Sequence, residues 1–227
     1  MRDARVLGRQ RAATRRIWSG DYLAMRPLSI ALRESATRAR GHMLDIGCGH
    51  RPYQAWLPST VTQYVGLDYE TADASPDLVG DALHLPFPSS SFDTVLSTQT
   101  LEHLTNPFQA FDEMARVLTA GGILILTAPQ SWREHEIPYD YFRFTSFGLR
   151  HLCERAGLKV THLDAVGRAW AHVGQSFLNI LLQTKLARVI APFALIVNAS
   201  TRALDAIWYD QREAINHLLI AEKTHDA

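Results

Sequence analysis

Apolar runs recur along the chain with helical stretches between them. HMLDI (42–46), QYVGL (63–67), FDTVLS (92–97) and ILILT (123–127) read as strands, and a shorter extended piece, LVGDA (78–82), falls between the second and third. Their alternation with helical segments is the pattern of a parallel sheet with crossover helices. In NPFQAFDEMARVLTAGG (106–122), Phe108, Phe111, Ala115 and Leu118 repeat at helical spacing. Pro107 suits the first turn there, and Gly121 with Gly122 provides the stop. TSFGLRHLCERAG (145–157) predicts a helix capped by Thr145 or Ser146 and ended at Gly157, followed by the strand LKVTHLDAV (158–166). The last strand is expected in INHLLIAEK (215–223).

Two segments fall outside this succession. WSGDYLAMRPLSIAL (18–32) predicts helix, so residues 1–40 read as a basic helical cover on a ligand-binding domain at 41–227. Residues 168 to 214 form an apolar, helix-rich insertion, in which Leu178, Leu182, Leu186 and Val189 fall on one stripe while Lys185, Arg188 and Pro192 interrupt any spanning run. Such a stripe packs on its own domain, covers a substrate, joins two copies of the chain, or lies on a bilayer.

Composition adds limits. With 227 residues, 47% hydrophobic and 20% charged, the chain suits one sizeable α/β core, and its formal net charge of zero gives no general reason to expect nucleic acid. The charge is unevenly spread, since the first forty residues hold ten Arg against Asp3, Asp21 and Glu34. Clustered charge of this kind is usually a solvated face, and anionic lipid or RNA is the alternative partner. No secretory signal or spanning helix is evident, which sets the expected location as cytoplasmic, peripheral to the membrane if the insertion meets lipid. Cys48 and Cys153 lack CxxC spacing, so neither a disulfide framework nor a metal site is expected from them.

The chemistry begins at LDIGCGHRPY (44–53). Gly47 and Gly49 after a buried strand let the backbone approach a ligand closely. A dinucleotide fingerprint would add a third glycine to bring a helix N-terminus to a pyrophosphate; here Arg51 and Pro52 stand instead, which weakens the case for phosphate. Asp68, about twenty residues on at a strand's C-terminal edge, is placed to accept hydrogen bonds from two ribose hydroxyls. Asp81 in GDALHLPF reads either as a turn residue or as an acceptor for an adenine amine, with Ala82 and Leu83 at the ring edge.

LDIGCG, GLD, GDALHLPFPSSSFDTVLSTQTLEHL and FDEMARVLTAGGILILTAPQ, in this order and spacing, resemble the class I S-adenosylmethionine-dependent methyltransferases over residues 42 to 167 and again at the final strand. The resemblance implies a Rossmann-like, doubly wound, mostly parallel seven-stranded sheet with an antiparallel last strand. It also implies S-adenosyl-L-methionine as cofactor: Asp45, Gly47, Cys48 and Gly49 on the methionine side, Asp68 on the ribose, Asp81, Ala82 and Leu83 at adenine, and Gln99 bordering the site. That ligand has a ribose and an adenine but no phosphate, so two glycines suffice. The implied activity is in-line methyl transfer to a small-molecule, glycan or lipid-linked acceptor, with a noncatalytic cofactor-binding or scaffolding subunit as the alternative.

Alignment does most of the work in such a reaction, but a hydroxyl acceptor must also lose a proton. His103 in LEHL and His135 in REHEIPYDYFRFT both arise on the sheet edge that faces the ligand crevice and are the candidate bases. Glu136, Tyr139, Tyr141 and Arg143 make the second segment dense in polar and aromatic groups, as a lid over an acceptor would be. Tyr22 and Arg26 are placed to approach the methionine carboxylate. Arg51 is expected to meet a substrate carboxylate or solvent.

Overall fold

The computed structural model describes residues 16–71, 75–182, 192–208, 210 and 212–224. One seven-stranded sheet runs in the order β3-β2-β1-β4-β5-β7-β6. Its strands are β1 (Gly41–Ile46), β2 (Val61–Asp68), β3 (Leu78–Val79), β4 (Phe92–Thr98), β5 (Leu118–Pro129), β6 (Leu158–Val166) and β7 (Asn216–Lys223). The pairs from β3 through β5 are parallel, and β7 is antiparallel to both its neighbours. The sheet is therefore the Rossmann-like, mostly parallel arrangement with a reversed last strand. The described α-helices are α1 (Tyr22–Ala36), α2 (Pro107–Val117), α3 (Ser146–Arg155), α4 (Ala169–Leu181) and α5 (Phe193–Ile207).

The central strands are buried on both faces, which is why they read as continuous apolar runs rather than alternating ones. Leu44, Ile46, Val95, Leu124 and Leu126 meet Phe111 and Met114 of α2 and Leu149 of α3 on one side. Met43, Leu96 and Ile125 face the other layer. Asn106 caps α2 by accepting from the Gln109 N–H at 3.2 Å, and Thr145 caps α3 by accepting from Gly148 at 3.1 Å. The β5 segment departs from expectation. Its strand starts at Leu118, well before Gly121 and Gly122, because Phe92 of β4 pairs with Leu118 and draws those residues into the sheet. The helix thus stops at Val117, and Phe108 on the expected apolar stripe is exposed, with the Arg155 guanidinium 5.1 Å from its ring centre. LVGDA also shortens, to the two residues of β3.

The insertion folds onto the N-terminal helix. Tyr22, Leu23 and Ala24 share an apolar cluster with Ala171 and Ile215. Gly174 permits close approach of α4 and α5, since a Cβ there would stand 2.5 Å from Thr201 Cγ2. Both carboxylate oxygens of Asp205 accept the first N–H groups of α4, from Trp170 and Ala171, at 3.0 Å. Leu178 of the expected stripe is fully buried and Leu182 is partly so; Leu186 and Val189 lie outside the described residues. The outer faces stay apolar, with Val173, Phe177, Ile180, Ile196 and Trp208 all exposed.

Buried Gln175 joins the two segments: its Oε1 accepts from Ala24 N–H at 3.3 Å and its Nε2 donates to the Gly20 carbonyl at 2.7 Å. Gln175→Leu keeps the volume but strands both backbone groups, and each unsatisfied buried group costs about 1–3 kcal/mol. Denaturant unfolding should therefore show a loss of about 2–4 kcal/mol; unchanged stability would show that the cover is not held through this residue.

Candidate active site

The C-terminal ends of β1, β2, β4 and β5 converge, and backbone hydrogen bonds draw the loops that leave them into one crevice. Gly47 and Cys48 donate to the Leu67 carbonyl at 2.9 and 3.1 Å, and Gly49 N–H donates to Asp68 Oδ2 at 2.8 Å. Gly80 N–H donates to the Asp68 carbonyl, which ties the Asp81–Leu83 segment to the same point. Thr100 Oγ1 donates to the Ile46 carbonyl at 3.3 Å, bringing Gln99 beside the glycine loop. All the residues expected at the cofactor therefore arise on one edge.

Their local reasons differ. Gly47 has φ of +73°, and a Cβ there would stand 2.2 Å from Thr100 Oγ1, so both conformation and space call for glycine. A Cβ on Gly49 would meet nothing within 4 Å, which leaves open space over the loop. The Asp68 carboxylate holds the N–H groups of Gly49 and Tyr69, one on each oxygen, and each oxygen keeps a second lone pair for a ligand. Asp81 Oδ1 accepts from Leu83 N–H at 2.8 Å within the turn, and Oδ2 stands 3.4 Å from His84 Nδ1. Gln99 sits at φ of +51° with its side chain donating to Thr127 Oγ1 at 3.2 Å.

Asp45 is the electrostatic centre of the crevice. It is buried, and desolvation pushes its pKa up to about 7 despite a 2.6 Å hydrogen bond from the Tyr64 hydroxyl; the Asp68 charge adds to the rise. Its Oδ1 is buried and has no hydrogen-bond partner among the described residues. A buried acceptor without a donor, beside open space over Gly49, fits a ligand with a cationic donor group. Burial also pushes the Cys48 thiol up to about 12, which removes it as a nucleophile.

Arg51 corrects its expected role. Its Nη2 pairs with Asp77 at 2.8 Å, its Nε donates to the Ser75 carbonyl at 2.7 Å, and the guanidinium stands 5.5 Å from the Tyr64 ring centre. It braces the loop instead of reaching a substrate. Tyr22 is likewise engaged, its hydroxyl accepting from Arg202 at 2.7 Å.

The segment after β5, expected on the acceptor side, is strapped to the short 3₁₀ turn Leu101–His103. Tyr141 and Phe142 N–H groups donate to the Glu102 carbonyl, and His103 Nδ1 donates to the Tyr139 carbonyl at 2.7 Å. The two imidazoles then meet edge to face, with ring centres 4.8 Å apart. His135 Nδ1 stands 3.2 Å from Asp140 Oδ2. Burial lowers the pKa of His135, the Asp140 charge opposing it, and so favours the uncharged ring. Tyr139 and Tyr141 are exposed and Glu136 is near His103 Nε2 at 3.5 Å, while all five N–H donors of Arg143 are spent on Asp140 and the carbonyls of Trp132, Arg133 and Phe142. Arg143 therefore shapes this segment and has no donor left for a substrate. Tyr64, which supports the site, escaped sequence reasoning because it acts on Asp45, a partner remote in the chain, and the grip of Asp140 on Arg143 is set by a turn that the sequence does not show.

Comparison with known proteins agrees with this geometry. A family model described as a methyltransferase domain matches residues 44–126. A Mycolicibacterium smegmatis protein described as a probable S-adenosylmethionine-dependent methyltransferase is 24% identical over 180 residues, 71% of this chain and 70% of that one. The tRNA (carboxymethyluridine(34)-5-O)-methyltransferase of Schizosaccharomyces pombe is 35% identical over 86 residues, so that the match spans 35% of this chain and 38% of the yeast protein. Among solved structures, the complex between the Haloferax volcanii Trm112 methyltransferase activator and a methyltransferase matches with a TM-score of 0.59 at 20% identity, covering 99% of this chain and all of that one, a likeness of fold. A methyltransferase domain thus spans residues 44–126, and the comparisons support a class I S-adenosylmethionine-dependent methyltransferase with S-adenosyl-L-methionine as cofactor.

Proposed function

We propose that the chain methylates a hydroxyl on a small-molecule, glycan or lipid-linked acceptor held against His103 and His135. The observation that carries this reading is the imidazole pair itself, half-buried on the cofactor edge, with the uncharged form of His135 favoured and its segment locked by Arg143 and Asp140. The bound cofactor supplies a methyl group already activated on a sulfonium. The chain's residues then have to hold that cofactor, orient the acceptor and remove its proton.

Asp45, Gly47, Cys48 and Gly49 take the methionine side, Asp68 the ribose, and Asp81, Ala82 and Leu83 the adenine, with Gln99 between cofactor and acceptor. Glu136, Tyr139 and Tyr141 line the acceptor side, and His135 receives the acceptor's proton, with His103 beside it. The exposed apolar faces of α4 and α5 favour the lipid-linked version and a cytoplasmic protein in peripheral contact with a membrane, or a homodimer formed through the same faces. No described helix is long and apolar enough to cross a membrane. Nucleic acid is not part of this reading, and turnover on tRNA but on no lipid, glycan or small molecule would overturn it.

Three outcomes test the assignment. Asp68→Ala removes the acceptor of the Gly49 N–H and of the ribose hydroxyls, so calorimetry should show cofactor affinity reduced by about 2–4 kcal/mol. Wild-type affinity in a folded variant would displace the ribose from Asp68. His135→Ala should lower the maximal rate by about 10²–10⁴-fold while cofactor affinity stays near wild type; full activity would eliminate it.

The third outcome concerns pH. The folded-state pKa of Asp45, about 7, lies above the ordinary aspartate value of 3.8, so the burial of this group favours the fold fully below about pH 4 and that advantage is lost as pH rises through 7. Asp45→Asn should therefore match the cofactor-free wild type in stability at pH 4 and exceed it at pH 8 by up to about 4 kcal/mol. A stability difference independent of pH would contradict the shift.

A further inference from the structure

Glu102, His103 and His135 each turn one ligand-type atom toward the others, and the three atoms lie within 4.8 Å of one another. The Glu102 side chain is fully buried and that of His103 is 14% exposed. His103 Nδ1 is committed as a donor to the Tyr139 carbonyl, so the uncharged ring keeps its lone pair on Nε2. That nitrogen stands 3.9 Å from Glu102 Oε1 and 3.5 Å from Glu136 Oε2. Three ligand-type atoms thus lie close together around His103.

We propose that Glu102, His103 and His135 bind a divalent transition-metal ion, with Glu136 within reach as a fourth ligand. Two imidazoles and a carboxylate suit Zn²⁺, Mn²⁺ or Fe²⁺, whereas Mg²⁺ and Ca²⁺ favour all-oxygen shells. Ligand bonds of about 2.0–2.2 Å set neighbouring ligand atoms roughly 3.3–3.5 Å apart in a tetrahedral site, so the 3.9 Å between His103 and Glu102 needs little closure and the trio as a whole, within 4.8 Å, draws in by about 1 Å. The surroundings are also those of a metal site. Histidine ligands ordinarily present their second nitrogen to a carbonyl or carboxylate. Here His103 Nδ1 faces the Tyr139 carbonyl, and the backbone N–H of His135 is held by the Asp140 carboxylate, which the Arg143 fork holds in turn.

This inference rests on the acceptor-side reading above and refines it. A coordinated acceptor hydroxyl ionises more readily, its O–H bond breaking with the proton released to solvent while the oxygen keeps the electron pair and the ion offsets its charge. His135 is then a ligand, and the deprotonation assigned to it passes to the ion.

The test uses the full chain after dialysis against chelator, titrated with Zn²⁺ and with Mn²⁺ by calorimetry. One ion per chain is expected, with affinity lowered at least about 100-fold in Glu102→Gln and in His103→Asn. Both variants should keep near wild-type S-adenosylmethionine affinity, which shows that they fold. Replacement by Co²⁺ should give visible absorption bands from the wild type that both variants lack. A wild-type chain that binds no ion, or variants that bind it as well as the wild type, would overturn the proposal. If cofactor binding and hydroxyl methylation persist without any bound ion, the metal site falls and the acceptor-side reading stands. If the ion binds at these three residues but no hydroxyl acceptor is methylated, the site stands and that reading falls.

Discussion

The hydrogen bond from Gly49 N–H to Asp68 Oδ2 closes the loop after β1 onto the end of β2, and the crevice depends on that closure. A parallel sheet leaves the carbonyl and amide groups at its strand ends without ladder partners, and each must find one in a loop. Here the partners lie in neighbouring loops: Leu67 takes Gly47 and Cys48, Asp68 takes Gly49, Tyr69 and Gly80, and Ile46 takes Thr100. The backbone is satisfied by pulling four loops together. The space left over Gly49, where a side chain would meet nothing, is the consequence.

Charge follows from the same closure. Asp45 and Asp68 are held near each other with Asp45 out of water, so ionising Asp45 opposes both desolvation and a like charge. Arg51 offsets part of this, but its main commitments are to Asp77 and to the Ser75 carbonyl. The loop therefore carries an electrostatic cost in the cofactor-free state. A cationic ligand group beside Asp45 would relieve it.

Much of this could be read from the residues alone, because the strands are long apolar runs and the glycine loop, Asp68 and the LEHL turn sit at their ends. What escaped has a common cause. The start of β5 at Leu118 is set by Phe92 across the sheet, and that pairing overrides a glycine pair that locally reads as a helix stop. Arg51 looked free because Asp77 is 26 residues away in the chain, and Arg143 looked like a substrate group because its chain neighbours do not show that five donors meet five acceptors. Tyr64 lies on a strand where its polar end has no periodic signature, yet it holds Asp45. Local pattern reports elements and their ends; it does not report which side chains are already spoken for.

That distinction separates the two halves of the site. Around the glycine loop, backbone groups make most of the enclosure, with Asp68, Thr100 and Arg51 as the side chains that close it. On the acceptor half, side chains make it. Arg143 grips Asp140 through two nitrogens, Asp140 accepts from the His135 N–H and stands beside its ring, and His135 packs against His103, which is fastened to the Tyr139 carbonyl. An Arg–carboxylate fork fixes orientation as well as distance. The chain of contacts therefore transmits the position of one guanidinium to both imidazoles. The acceptor half is thus the part that other side chains could rebuild without disturbing the cofactor half, which is how a shared sheet serves different acceptors.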